Sequence, residues 1–191
     1  AGVLIAHRQE AWALVTESVD GLTAPWFARA RFVQAQQGFR WALDAAAAVG
    51  DDSRYAAYAY YLAKIHLRQD NYAEARQLLH SAIAAFQTMS DQLRLADAYV
   101  DLADVALEEN EYTEAAAKLY AAESLYQQLQ QPVGVATVKT RQALLAYYEG
   151  RYEDAHALCH SGLECLPPND GAIARSRTLR LLADLALREQ R

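Results

Sequence analysis

The sequence predicts an all-α fold in which antiparallel helix pairs stack one on the next. Three observations carry that expectation. Tyr72, Tyr112 and Tyr152 step by 40 residues, and each is followed three positions later by an alanine: Ala75, Ala115 and Ala155. A fixed period of this size is produced by a chain of repeated structural units. The composition is 53% hydrophobic and rich in Leu and Ala, with only 4 Pro and 8 Gly, which favours helix nearly throughout. Turn signals are brief and regularly placed, so successive helices must fold back on their neighbours.

Taken in order, residues 1–20 read as a helix with apolar positions at Leu4, Ile5, Trp12, Leu14 and Val15. Asp20-Gly21 supplies an end signal, because glycine is the usual residue just past a helix C-terminus. Thr23-Ala24-Pro25 supplies a start signal, and an apolar face then runs from Trp26 to Val49. Phe32-Val33-Gln34-Ala35 echoes the tyrosine motif another 40 residues upstream, so residues 1–52 read as an atypical N-terminal repeat. Full units are expected at 53–92, 93–132 and 133–170, each with a helix A and a helix B. Their turns fall at Asp70-Asn71, Asn110-Glu111 and Gly150-Arg151. Pro167-Pro168-Asn169-Asp170 is a firm stop, and residues 171–191 form the terminal helix of an incomplete unit.

In register, Leu62-Ala63 falls on Leu102-Ala103 and Gln142-Ala143, with Leu182-Ala183 in the last unit. Leu79 falls on Leu119 and Cys159, Ala82 on Ala122 and Gly162, and Phe86 on Tyr126 and Leu166. Small residues recur where two helices cross closely, and large ones fill the space beside them. The tyrosine after each turn is expected to wedge between helix A and the next unit.

This set of positions resembles the tetratricopeptide repeat (TPR): Leu and a small residue in helix A, a turn, then Tyr-x-x-Ala opening helix B. The resemblance covers residues 53–191 well and 22–52 weakly. The period of 40 exceeds the family's usual value of about 34, which lengthens the helices. It is similar to the variety found in bacterial multidomain signal-transduction ATPases of the maltose-regulator type, and in kinesin light chains. The resemblance implies one repeat domain over 1–191, wound as a right-handed superhelix. It also implies a non-catalytic protein or peptide interaction scaffold, the repeat region of a larger bacterial signalling or regulatory protein. The alternative it implies is a small-molecule sensor arm of a transcription regulator.

Members of the family bind ligands on a concave surface lined by helix A. Carried onto this chain, those positions are Tyr60, Lys64 and Arg68, then Val100, Asp104 and Glu108. They continue with Thr140, Leu144, Tyr147 and Tyr148, and end with Arg177, Arg180 and Asp184. The family's clamp for carboxylate termini needs basic and amide residues where Val100 and Asp104 stand, so that ligand is not expected. The incomplete C-terminal unit leaves self-association open.

Other functions find little support. The net charge is −6 with no basic run, which argues against direct nucleic-acid binding. Residues 97–123 carry eight carboxylates (Asp97, Asp101, Asp104, Glu108, Glu109, Glu111, Glu114, Glu123) against Lys118. Such a stretch is a solvated face or a surface for a basic partner. His156 and His160 are four apart on one helix but have no evident third ligand, so neither metal nor cofactor is expected. No phosphate-binding glycine loop and no nucleophile with a base at helical spacing is visible, so no enzyme is expected. Cys159 and Cys165 lie about 9 Å apart along a helix axis, too far to bridge, and read as reduced thiols of a cytoplasmic protein. The apolar opening is too short for a membrane span. The missing initiator Met and the stop at Arg191 lead us to expect a segment of a longer protein.

Overall fold

The computed structural model describes residues 2–189. Among them are ten α-helices and no strand: α1 (Gly2–Arg8), α2 (Trp12–Ala28), α3 (Phe32–Val49), α4 (Asp52–Leu67), α5 (Tyr72–Thr88), α6 (Gln92–Glu108), α7 (Tyr112–Gln128), α8 (Pro132–Tyr148), α9 (Tyr152–Cys165) and α10 (Ala172–Glu189). The chain divides into two compact units, the first ending at Asp91 and the second beginning at Gln92.

The turns reveal a period half that of the tyrosines. Residues with left-handed backbone occur at Glu10, Ala30, Gly50, Asp70, Ser90, Asn110, Gln130 and Gly150, a step of 20. Each turn is closed by the same pair of backbone bonds. In the turn at Ala30, Arg31 N donates to Trp26 O at 2.9 Å and Ala30 N to Phe27 O at 3.3 Å. In the turn at Asn110, Glu111 N donates to Ala106 O at 2.8 Å and Asn110 N to Leu107 O at 3.1 Å. This 6→1 and 5→2 pairing is the Schellman arrangement, which satisfies the carbonyls a helix end leaves open. Side-chain caps contribute little by comparison. Asp51 accepts from Arg54 N at 3.0 Å, whereas Ala11, Arg31, Asn71, Glu111, Gln131 and Arg151 hold the corresponding position without a side-chain cap.

That 20-residue step corrects the N-terminal reading. No helix ends at Asp20-Gly21 and none begins at Pro25. Instead α1 stops at Arg8 and α2 runs from Trp12 through Gly21 and Pro25 to Ala28. Both residues lie on the exposed side of α2, where glycine costs about 1 kcal/mol and breaks nothing. Burial of Val15, Val19 and Trp26 on the opposite side outweighs that cost. The real break is at Ala30, a residue that carries no turn signal.

Non-glycine residues at positive φ carry a steric cost of about 1–2 kcal/mol. Six of the eight turns bear it: Glu10, Ala30, Asp70, Ser90, Asn110 and Gln130. Ala30 (φ 50) is the clearest case, being exposed and without a polar side chain to compensate. Ala30→Gly is therefore expected to stabilise by about 0.5–1 kcal/mol, after allowing for glycine's greater freedom when unfolded. In a thermal melt the gain reads as about 1–4 °C. No rise in Tm would mean that the turn is not strained.

In the first unit, α2, α3 and α4 enclose Val19, Trp26, Phe39, Tyr58 and Ile65. The Tyr58 hydroxyl donates to Asp20 Oδ1 at 2.7 Å, and Arg54 Nε donates to Asp20 Oδ2 at 3.3 Å, which fastens α4 to α2. In the second unit, α6, α7 and α8 enclose Ala96, Ala103, Leu119, Ala122, Tyr126 and Val138. A further cluster joins α8, α9 and α10 through Ala143, Ala146, Cys159, Leu181 and Leu185. The recurring alanines Ala63, Ala103, Ala143, Ala82 and Ala122 are fully buried, as close helix crossings require. Ala183, their counterpart on α10, is exposed.

The turn tyrosines are only half-buried. The hydroxyls of Tyr72 and Tyr112 donate to Asp70 Oδ1 and Asn110 Oδ1, each at 3.0 Å, so each ring arches over its own turn. The expected wedge is present in the second unit, where Tyr112 of α7 lies nearly parallel to Tyr148 of α8.

Candidate functional site

The second unit contains an open cleft of about 690 Å³ between the C-terminal part of α8 and α10. Leu144, Tyr147 and Tyr148 line it from α8, and Leu181, Asp184, Leu187 and Arg188 from α10. The α10 residues fall at i, i+3, i+6 and i+7, which is one helix face. Thr140 and Thr178 hold the two helices together, with hydroxyls 2.7 Å apart and buried. Each hydroxyl also lies within bonding distance of a carbonyl of its own helix, Thr140 of Ala136 O at 2.9 Å and Thr178 of Ala174 O at 3.0 Å. Each hydroxyl has a single proton, so one threonine donates to the other, and the accepting threonine donates to the carbonyl of its own helix.

Four tyrosines gather at the mouth. Tyr147 meets Tyr148 and Tyr152 edge-on, with centroids 5.9 and 5.7 Å apart. Tyr148 lies 6.3 Å from Tyr112, with the ring planes 19° from parallel. The Arg188 guanidinium sits 5.3 Å from the centroids of both Tyr147 and Tyr152, and its Nη1 donates to the Tyr147 hydroxyl at 2.9 Å. The electron-rich ring faces thus already hold one cation. Burial raises the Tyr148 phenol above its ordinary range, and the nearby Glu108 carboxylate raises it further. Both effects disfavour a phenolate, so Tyr148 is a neutral hydrogen-bond donor at physiological pH.

The neighbouring helix is fixed to this wall by charge. Arg141 donates to both Asp104 oxygens, each at 3.1 Å, and so ties α8 to α6. Burial works against the guanidinium's charge, but the Asp104 carboxylate more than restores it, and the net shift is upward. Lys139 pairs with Glu123 at 3.3 Å, and Gln142 Nε2 donates to the same carboxylate at 2.8 Å. Gln142 stands where the register calls for leucine, and this bond is its physical reason.

Leu144, Tyr147, Tyr148 and Asp184 come together in the cleft, with Glu108 beside Tyr148. Val100 and Thr140 are buried among the helices, so their side chains pack and do not face an open surface. Tyr60 is likewise buried, with its ring edge-on to Phe86. Asp104 is committed to Arg141. Arg177 and Arg180 are exposed on α10 but outside the cleft lining. Lys64 and Arg68 belong to the first unit, where the Lys64 ammonium lies 5.1 Å from the Tyr60 centroid and the Arg68 guanidinium 5.6 Å from that of Phe32. Leu181, Leu187 and Arg188 escaped the sequence reading. Their signal was the i, i+3, i+7 pattern Leu181-Asp184-Arg188, legible only once α8 is known to face it.

Among the described residues, no three His, Cys, Asp or Glu side chains gather as metal ligands. Nor is any described helix long and apolar enough to cross a membrane. Burial pushes the Cys159 thiol up to about 11, which makes it a packing residue of low reactivity.

Up to Gly150, helices joined by the same turn at a step of 20 residues make a TPR-like helical-repeat fold. Solved structures agree on the fold. BtubC (BKLC) from P. vanneervenii is similar over 97% of this chain and 82% of its own, with a TM-score of 0.71 at 18% identity. A Podosopora anserina protein described as a kinesin light chain with nearly identical TPR-like repeats is similar over 91% of this chain and 88% of its own, with a TM-score of 0.67 at 13% identity. No protein-family model and no curated protein matches the sequence.

Proposed function

We propose that this chain is a non-catalytic scaffold for a protein or peptide partner, the repeat region of a larger bacterial protein of signal transduction or regulation. The observation that carries this reading is the α8–α10 cleft: an apolar floor, an aromatic rim and two charges on a repeat framework. Clustered aromatic and arginine side chains are the residues that dominate binding energy at protein interfaces. The reading sets the chain in the cytoplasm, in keeping with its two free thiols. Self-association through α10 is part of the proposal, since Ile173, Leu179 and Leu187 are exposed there. Sedimentation at increasing concentration reads it, and a constant monomer mass would remove it.

The test is selection of a displayed random dodecamer library on the purified chain. Tyr147→Ala is expected to weaken selected peptides by about 10-fold or more, with the helical circular dichroism unchanged. Tyr120→Ala, on the exposed side of α7, is expected to leave binding as it was. Equal loss from both variants, or none from either, would remove the cleft from the proposal.

One observation favours a second reading, a small-molecule sensor arm of a transcription regulator. The cleft's volume, about 690 Å³, lies within the range that small-molecule sites occupy. A thermal-shift screen against sugars and metabolites separates the two, and the absence of any stabilising compound counts against the sensor.

A further inference from the structure

The four tyrosines at the cleft mouth form two pairs in different states. Tyr147 and Tyr152 share the Arg188 guanidinium, which lies over both rings and bonds the Tyr147 hydroxyl. Tyr112 and Tyr148 lie nearly parallel with centroids 6.3 Å apart, and among the described residues no cation lies over either ring. The Glu108 carboxylate acts on the Tyr148 phenol from α6, yet forms no hydrogen bond or ion pair among the described residues. Across the cleft, Asp184 is in the same condition, although Arg188 stands one helical turn away. Arg188 points its guanidinium to the tyrosines instead.

The two pairs therefore share one chemistry and differ in occupancy. An aromatic face attracts a cation through its quadrupole, and a carboxylate beside it adds Coulomb attraction and a hydrogen-bond acceptor. The apolar floor of Leu144 and Leu181 suits the methylene stem of a long basic side chain, with its charged head at the rim. An acidic occupant would meet Glu108 and Asp184 uncompensated, because Arg188, the one cation among the described lining residues, is already engaged. Glu108 stands near the C-terminal end of α6, beside Tyr148.

We propose that the cleft takes a basic peptide segment, with a lysine or arginine of the partner seated between Glu108, Tyr148 and Asp184 beside the Tyr112 ring. This rests on the scaffold reading and specifies the partner's chemistry. Arg188 is the built-in counterpart of the incoming side chain, and it shapes the tyrosine wall against which that side chain packs.

The experiment sequences the dodecamers selected on the wild-type chain and measures their binding by fluorescence anisotropy. The expected result is enrichment of Lys and Arg beside an apolar residue. Glu108→Gln, which keeps size and removes charge, should weaken these peptides by about tenfold, and Tyr148→Ala by a similar factor. Affinity should also fall as salt rises from 50 to about 500 mM. Selection of acidic peptides that Tyr148→Ala abolishes would overturn this proposal and leave the scaffold reading standing. So would basic peptides indifferent to Glu108→Gln. Failure to select any peptide would overturn both. Circular dichroism of each variant, matching the wild type, excludes unfolding as the cause of lost binding.

Discussion

Phe39→Ala is expected to cost the first unit about 3–5 kcal/mol. The Phe39 side chain is fully buried, and four rings surround it. Tyr61 stacks on it at 5.5 Å, Trp26 meets it edge-on at 5.7 Å, and Tyr58 and Phe27 lie at 6.1 and 6.4 Å. These rings come from α2 and α4, so the ring of Phe39, on α3, joins three helices. Truncation removes its transfer energy and leaves a cavity bounded by rigid aromatics, which cannot collapse inward as flexible side chains can. Trp12, Trp26 and Trp41 are the chain's three tryptophans, and all lie in the first unit. Tryptophan fluorescence during urea unfolding therefore reads this unit alone. A loss below about 1 kcal/mol would mean that the aromatic cluster is not a packed core.

The sequence revealed the all-helical class, because the tyrosine step of 40 is strict and each motif has its own turn. It misled at the N-terminus for a physical reason. Gly21 and Pro25 are strong local signals, but α2 carries both on its exposed side, where their cost is small beside the burial of Val19 and Trp26. Ala30 gives no local signal at all, although it takes a φ of 50° in a turn closed by backbone hydrogen bonds. The step of 20 between turns was hidden because six different residue types hold the left-handed position without glycine.

The site was legible in part for a similar reason. Consecutive residues on a helix point about 100° apart, so a register error of one position moves a side chain from the open face to the packed one. Tyr147 and Tyr148 flank that divide and both reach the cleft mouth, whereas Val100 and Thr140 fall on the packed side. Arg188 could not be assigned from the sequence, since its role depends on ring faces contributed by two other helices, α8 and α9.

A second large effect is expected at Gly134, a residue of α8 whose missing side chain makes room for Tyr126 of α7. A Cβ at Gly134 would stand 2.4 Å from Tyr126 Cδ1 and 2.6 Å from both Cγ and Cε1. The ring cannot retreat. Its hydroxyl donates to Asp97 Oδ1 at 2.5 Å, and its body is packed among Ala103, Leu119 and Val138. Two opposed effects must be weighed. Glycine to alanine within a helix gains about 1 kcal/mol of propensity, while overpacking a held ring costs about 1–3 kcal/mol or more. Contact this close against a tethered ring puts Gly134→Ala on the losing side by about 1–3 kcal/mol. The decisive measurement is a double-mutant cycle. Tyr126→Ala alone should cost about 3–5 kcal/mol through its lost ring. In that background the obstruction is gone, so Gly134→Ala should become favourable by about 1 kcal/mol. A reversal of sign between the two backgrounds cannot come from helix propensity, which is the same in both, and assigns the cost to the ring. If Gly134→Ala has the same effect with and without Tyr126, the two residues do not touch.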